Sequence, residues 1–143
     1  MQHNIKKHKI KFGIASVNRG DIIVYDLNML GLRKYFKKII AYEDVINHKP
    51  APDVYLKLIK ELNVSPSQCV GIEDGLDGII GMKRAGIKTI GLLSEFTTKK
   101  DFIKIKADLI IKSTKDININ IIKNLIDNNL VTEKKILTKK RNE

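Results

Sequence analysis

Short apolar segments alternate with amphipathic ones along most of the sequence, and this alternation limits the possible folds more than any other feature. Strand-like segments are predicted at residues 10–15, 39–41, 69–72, 89–93 and 107–111. Apolar residues recur at helical spacing in residues 20–30, 54–62, 74–85 and 117–129. Strands that are separated by helices favour a parallel sheet covered by helices on both faces. The predicted class is α/β, with a three-layer Rossmann-like sheet.

The positive charge of the chain lies mainly at its two ends. The net charge is +11, yet residues 1–11 alone hold four lysines and no acid, and residues 131–143 hold five Lys/Arg against two Glu. We therefore divide the chain into a basic N-terminal segment (1–9), one domain (10–130) and a basic tail (131–143). Charge at the ends, without aromatic residues on one face, argues against a specific nucleic-acid partner. Non-specific polyanion binding at low salt stays open.

The cysteine and hydropathy patterns bear on location. Cys69 is the only cysteine, so no internal disulfide can form, and its apolar neighbours predict a buried strand thiol. No apolar run approaches the roughly 20 residues that span a bilayer. The start, rich in Lys and His, lacks the apolar stretch of a signal peptide. We expect a cytoplasmic protein without a membrane partner.

Polar residues that could bind a ligand or take part in catalysis follow three of the predicted strands or lie in the loops after them. Ser16 and Asn18 come after the first strand, where a hydroxyl and backbone N–H groups could hold phosphate oxygens; an ordinary helix cap is the alternative. Lys49 lies within a rigid Lys49–Asp53 segment that contains two prolines and could neutralise a phosphoryl group, or be a surface lysine beside a turn. Ligands of open α/β sheets bind at the carboxyl ends of strands.

Glu73 and Asp74 follow the apolar strand at residues 69–72. Neighbouring carboxylates in such a place can hold Mg²⁺, a hard cation that prefers oxygen ligands. The alternative is that Asp74 stabilises the N-terminus of the next helix. The order and spacing of these residues indicate a phosphoryl-transfer site more strongly than any one of them does.

In this order the motifs resemble the C-terminal part of the core domain of haloacid-dehalogenase-like phosphotransferases, in the branch of β-phosphoglucomutase and small phosphosugar phosphatases. The resemblance covers about 120 residues and rests on Ile14-Ala15-Ser16, on Lys49-Pro50-Ala51-Pro52-Asp53, and on Gly71-Ile72-Glu73-Asp74 with Gly78, Ala85 and Gly86. It implies that Ser16 and Asn18 bind phosphate, that Lys49 stabilises the phosphorylated state, and that Glu73 and Asp74 complete a Mg²⁺ site. Residues 64–66, 107–111 and 113–116 resemble the mutase more than a generic phosphatase.

The family's first motif, Asp-x-Asp-Gly-x, is missing, as is the helical cap domain that selects the substrate. None of the ten aspartates lies two positions from another. In the family that motif ends a central strand, here expected between the strands that end at Ser16 and Ile72. We therefore expect two unpaired strand edges and low stability, with the motif and the cap located either upstream of Met1 or on a separate chain.

Three functions follow as expectations. The first is Mg²⁺-dependent phosphoryl transfer on a phosphorylated sugar, as a β-phosphoglucomutase-like fragment or a phosphosugar phosphatase, inactive alone. The second is a non-catalytic remnant that binds phosphate, and the third is a basic nucleic-acid-binding domain.

Overall fold

The computed structural model describes residues 9–127. The basic tail and nearly all of the basic N-terminal segment lie outside this range. Five strands are present in the described residues: β1 (Phe12–Ala15), β2 (Phe36–Ile40), β3 (Val70–Glu73), β4 (Lys88–Leu92) and β5 (Leu109–Ile111). Five α-helices follow strands: α1 (Gly20–Met29), α2 (Asp53–Leu62), α3 (Leu76–Arg84), α4 (Lys99–Lys104) and α5 (Ile119–Ile126). None of these helices is long and apolar enough to cross a membrane.

All strand pairs are parallel, which confirms the predicted α/β class. In the described residues the strands form two sheets, β1–β2 and β3–β4–β5. Ala15 pairs with Ile40 in the first sheet, and Glu73 pairs with Gly91 in the second. Neither β1 nor β3 has a second hydrogen-bonded strand in this part of the chain. This arrangement agrees with the expectation of a missing strand between them.

One helical layer joins the two sheets. Helix α2 packs on β1 and β2, α3 packs on β3 and β4, and the two helices contact each other. The apolar stripe of α2 contains Val54, Tyr55 and Ile59, which share one core with Ile79 and Met82 of α3. This core is the largest apolar cluster of the described residues, so helix packing rather than strand pairing holds the two sheets together.

On the face opposite this helical layer, each sheet is covered by a different helix. Helix α1 covers β1 and β2 through Ile23 and Leu27, which pack against Ala41. Helix α5 covers the other sheet through Leu125, in a separate cluster with Ile90 and Ile111. On this face Ile72 of β3 remains 46% exposed between the two clusters.

Several sequence predictions need correction. Helix α4 was not predicted, because it has only six residues and a single buried apolar residue, Phe102. The predicted helix at 74–85 begins later, at Leu76, with Gly75 at its N-cap, so Asp74 does not cap it. The strand predicted at 39–41 begins at Phe36. Cys69 is half-buried and precedes β3, and its thiol donates to Ser65 O at 3.3 Å. The prediction of a buried thiol within a strand was therefore wrong.

Candidate active site

Lys49 connects the carboxyl ends of the two sheets. Its Nζ atom donates to Glu73 Oε2 at 2.7 Å and to Ala15 O at 3.2 Å. Glu73 ends β3 and Ala15 ends β1, so one ammonium group contacts a strand end on each side of the gap. Both partners are largely withdrawn from water, with 10% of the Lys49 side chain and 19% of the Glu73 side chain exposed. A charge-assisted bond in such a setting is stronger than a surface ion pair.

Tyr55 is the third member of this cluster, and the sequence did not predict its role. Lys49 Nζ lies 5.1 Å from the centre of the Tyr55 ring, within cation–π range. The Tyr55 hydroxyl donates to Glu73 Oε2 at 3.3 Å. Burial, and next the Glu73 charge, raise the pKa of Tyr55, so the phenol stays protonated and remains a donor. Sequence analysis could have identified Tyr55 from its position on the predicted buried stripe of α2, because a buried hydroxyl group needs a hydrogen-bond partner.

The loop before α2 holds Lys49 in place. The Lys49–Pro50 peptide bond is cis. Ala51 N–H donates to His48 O at 2.9 Å, and Arg84 of α3 donates to Pro50 O at 3.0 Å. The His48 ring stacks on Tyr42, with ring centres 4.0 Å apart. The lysine therefore extends from a backbone that is fixed on both sides, which preorganises its ammonium group.

Ser16 and Asn18 lie just after β1, but they hydrogen-bond to the protein itself. Ser16 Oγ accepts from Asn18 N–H at 3.1 Å, and Ser16 N–H donates to Ile40 O. The N-terminus of α1 is also engaged, since Gly20 N–H donates to Glu43 Oε1 at 2.9 Å. The loop thus forms the turn expected of a helix start. Phosphate binding there would use the Ser16 hydroxyl proton and the N–H groups that remain.

Glu73 and Asp74 differ in their availability for a metal ion. Glu73 Oε2 already contacts Lys49 and Tyr55, and Glu73 Oε1 accepts weakly from Gly75 N–H at 3.4 Å. Asp74 is exposed at the end of β3. The described residues contain no group of three or more His, Cys, Asp or Glu side chains that could hold a metal. Asp74 fits as one oxygen ligand of Mg²⁺, whereas Glu73 fits better as the acceptor that positions Lys49.

The glycines of α3 set how closely this helix approaches the site. A Cβ atom on Gly78 would overlap the carboxylate of Glu73. A Cβ atom on Gly81 would come within 2.9 Å of the Tyr55 ring. Both glycines are buried, so the absence of their side chains is what leaves room for Glu73 and Tyr55 beside Lys49.

The sequence profile of the haloacid dehalogenase-like hydrolase family matches residues 1–92. The chain belongs to this family. Over 116 residues it is 30% identical to a phosphorylated carbohydrates phosphatase of Thermotoga maritima, which covers 80% of the chain and 54% of the relative. Its fold resembles a β-phosphoglucomutase of Clostridium difficile, with a TM-score of 0.75, 30% identity, and 90% and 54% of the two chains covered.

A second solved structure, a family hydrolase of Entamoeba histolytica, aligns with a TM-score of 0.79 and 33% identity. It covers 87% of this chain and 57% of that chain. The chain therefore spans little more than half the length of these three relatives. The comparisons confirm the predicted family and its parallel α/β fold.

Proposed function

We propose that the chain supplies the lysine and Asp74 half of a Mg²⁺-dependent phosphoryl-transfer site that acts on a phosphorylated sugar in the cytoplasm. Our preferred activity is β-phosphoglucomutase-like, the interconversion of β-glucose 1-phosphate and glucose 6-phosphate. The observation that carries the proposal is the Lys49 ammonium group, which lies between the carboxyl ends of β1 and β3 and is fixed by Glu73. Relatives named as sugar phosphatases and a mutase support the substrate class.

Each residue has a separate role in this proposal. Lys49 neutralises the charge on the phosphoryl oxygens as it develops during transfer. Glu73 and Tyr55 orient the Lys49 ammonium group. Ser16 holds a phosphoryl oxygen through its hydroxyl group, and Asn18 adds a hydrogen bond. Asp74, which is exposed, contributes a carboxylate to Mg²⁺. When bound, Mg²⁺ stabilises negative charge on the transferred group.

The nucleophile must come from outside the described residues. Phosphoryl transfer through an aspartyl phosphate needs a carboxylate nucleophile and a second carboxylate that moves a proton. We assign both to an Asp-x-Asp segment that lies either upstream of Met1 or on a separate chain, together with the cap that selects the sugar. An open groove of about 580 Å³ lies beside Ile46 and Asp53, but Lys49, Glu73 and Asp74 do not line it. The substrate would thus be enclosed only when that segment and the cap are present.

Reconstitution tests the proposal. The chain is co-produced with the amino-terminal part of a family relative that contains the Asp-x-Asp segment and the cap. Turnover of β-glucose 1-phosphate is then followed by phosphorus NMR, which separates isomerisation from phosphate release. Lys49→Met and Asp74→Asn should each reduce turnover by about 10²-fold or more. Lys57→Met is the matched control, because Lys57 donates to a backbone oxygen, Asp44 O, outside the cluster of Lys49, Tyr55 and Glu73. Turnover that survives in both site variants contradicts the assignment.

Two other readings have distinct outcomes in the same experiment. Release of inorganic phosphate without isomerisation favours a phosphosugar phosphatase. A non-catalytic remnant is favoured if the chain alone binds inorganic phosphate, if Lys49→Met removes that binding, and if no reconstituted mixture turns over.

A further inference from the structure

We infer that the open groove beside Ile46 binds the basic tail, residues 131–143, of a second copy of the chain. The groove is lined by the loop after β2 and by the first turn of α2, and it does not include Lys49, Glu73 or Asp74. The inference therefore goes beyond the proposed function and does not depend on it.

Part of the groove lining is apolar and exposed to solvent. Ile46 is 92% exposed and Leu56 of α2 is 46% exposed, and both line the groove together with the half-buried Val45. The loop that carries Ile46 is attached to α2, because Asn47 Nδ2 donates to Asp53 Oδ2 at 2.9 Å. The loop thus holds an aliphatic side chain in water, and a partner that covered this side chain would gain the free energy of its burial.

The polar part of the lining is negatively charged. Glu43, Asp44 and Asp53 line the groove, and no basic residue lines it. One oxygen of each carboxylate accepts a hydrogen bond from within the chain, and the second oxygen accepts none within the described residues. The nearest ammonium group, that of Lys57, donates to the backbone oxygen of Asp44 at 2.8 Å. On a chain with a net charge of +11, this groove attracts a basic segment of another molecule.

The basic tail has a sequence that complements the groove. Residues 134–141 read KKILTKKR, so Ile136 and Leu137 lie between two groups of basic residues. The two apolar residues match the apolar lining, and the basic residues on both sides match the three carboxylates. The basic N-terminal segment is a poorer match, because Ile5 is its only branched aliphatic residue. Charge and apolar pattern together therefore favour the tail as the occupant.

The position of the groove favours the tail of a second copy over the tail of the same chain. The tail comes after α5, which covers the sheet of β3, β4 and β5 on the face opposite the layer of α2 and α3. The groove lies beside α2, after the end of β2 in the other sheet. A tail that reached the groove of its own chain would have to pass from one sheet to the other and from one face to the other. A second copy supplies its tail without that path.

A fluorescent peptide with the sequence of residues 131–143 tests the groove on the full chain. Binding is measured by fluorescence anisotropy at low salt, and a control peptide has the same composition with its isoleucine and leucine moved to the two ends. We expect the tail peptide to bind at least about fivefold more tightly than the control peptide. Salt at about 0.5 M should weaken its binding by about tenfold or more, because it screens exposed charges. Equal binding of the two peptides overturns the proposal, since charge alone would then explain the attraction.

Variants of the groove locate the binding. Ile46→Ser removes the exposed aliphatic side chain and Glu43→Gln removes one charge, so each should weaken binding of the tail peptide by about threefold to tenfold. Ile103→Ser and Glu95→Gln are the matched controls, because Ile103 is 58% exposed on α4 and Glu95 is exposed after β4. All four side chains are exposed, and equal melting temperatures check that the variants remain folded. Unchanged binding to Ile46→Ser, or an equal loss in the controls, overturns the proposal.

Self-association of the full chain identifies the source of the tail. The mean mass measured by sedimentation should rise with protein concentration in the wild type, and should remain that of a monomer in a variant with both Ile136→Ser and Leu137→Ser. The NMR signal of the Ile46 δ1 methyl group should shift over the same concentration range in the wild type only. A methyl signal that differs between wild type and variant at every concentration, without shifting, assigns the groove to the tail of the same chain and overturns the second copy. A peptide of residues 1–9 that competes as well as the tail peptide overturns the tail.

Discussion

At the scale of single residues, Tyr55 is the side chain whose chemistry is most changed by the fold. Burial raises its pKa first, and the Glu73 charge and hydrogen bond raise the pKa further. The neutral phenol is therefore favoured in the folded protein. The stabilisation that the neutral phenol gives to the folded state is fully present below the unfolded tyrosine pKa of about 10. It is lost as the pH rises through the pKa of Tyr55 in the folded protein. The folded chain should become less stable in strong alkali for this reason.

A tyrosinate titration checks this expectation. The wild-type chain and the Tyr55→Phe variant should give the same absorbance change with pH while both remain folded, because Tyr55 does not ionise. One additional tyrosine should titrate in the wild type only after alkaline unfolding. The variant should lose about 0.5–1.5 kcal/mol of stability at neutral pH, since it loses a hydrogen bond but keeps the ring near Lys49. A difference between the two titrations in the folded range contradicts the raised pKa.

At the scale of elements, the contact between α3 and β3 controls the position of Glu73. Gly78→Ala places a methyl group where the Glu73 carboxylate lies, so Glu73 must move away from Lys49 or the helix must shift. We expect a loss of about 1–3 kcal/mol, the usual cost of overpacking. Gly75→Ala is the matched control, because its Cβ atom meets only Glu73 Oε1 at 3.7 Å. Thermal unfolding of both variants measures the difference, and equal melting temperatures contradict the close approach.

A second element-scale feature joins β4 to the start of β5. Asp108 Oδ2 accepts from Thr89 N–H at 2.8 Å and from Thr89 Oγ1 at 2.9 Å, and Thr89 is fully buried. Burial by itself would raise the pKa of Asp108, but the Thr89 hydrogen bonds, with Lys88 and Lys83, lower it overall. The lowered pKa means that the carboxylate stabilises the fold above the unfolded value of about 3.9, and that this stability is lost as the pH falls through the folded value.

Denaturant unfolding at several acidic pH values tests the Asp108 contact. Asp108→Asn should lower stability at neutral pH by about 1–3 kcal/mol, because it removes a charged acceptor. Below the folded pKa the wild type loses the same charge, so the two stability curves should converge there. Asp116→Asn is the comparison, since Asp116 Oδ2 accepts only from Ser113 N–H at an exposed turn. A constant difference between Asp108→Asn and wild type at every pH contradicts the linkage.

The sequence predicted the elements better than it predicted their contacts. Strand and helix periodicity located nine of the elements, because apolar spacing directly reflects which side is buried. It missed α4, which is too short for a periodic signal. The motifs predicted that Lys49 and Glu73 lie at the carboxyl-terminal edge of the sheet. They did not predict that Glu73 binds Lys49, or that Tyr55 completes the cluster. Such contacts depend on how α2 and α3 pack together, and periodicity within one segment carries no information on that packing.

At the scale of the whole molecule, the connection between the two sheets is the weak point. They share one helical layer and the Lys49 ion pair, but the described residues place no strand between them. Unpaired backbone edges lower stability and expose the chain to association. The outer faces of both sheets have clusters with three buried residues, but only three partly buried apolar residues pack against the cluster on β1–β2, and six pack against the other. We therefore expect this part to open more easily than the part around β4, as local unfolding follows the weaker packing.

Native-state hydrogen exchange measures this difference in the chain as it is. Amides of Ile14 and Ile40 should exchange with an opening free energy below that of Ile90, which is fully buried in β4. Lys49→Met should widen the difference, because it removes the group that contacts both Ala15 and Glu73, whereas Lys57→Met should leave the difference unchanged. A monomer that exchanges all three amides through a single cooperative opening of ordinary stability would show instead that the helical layer suffices to join them.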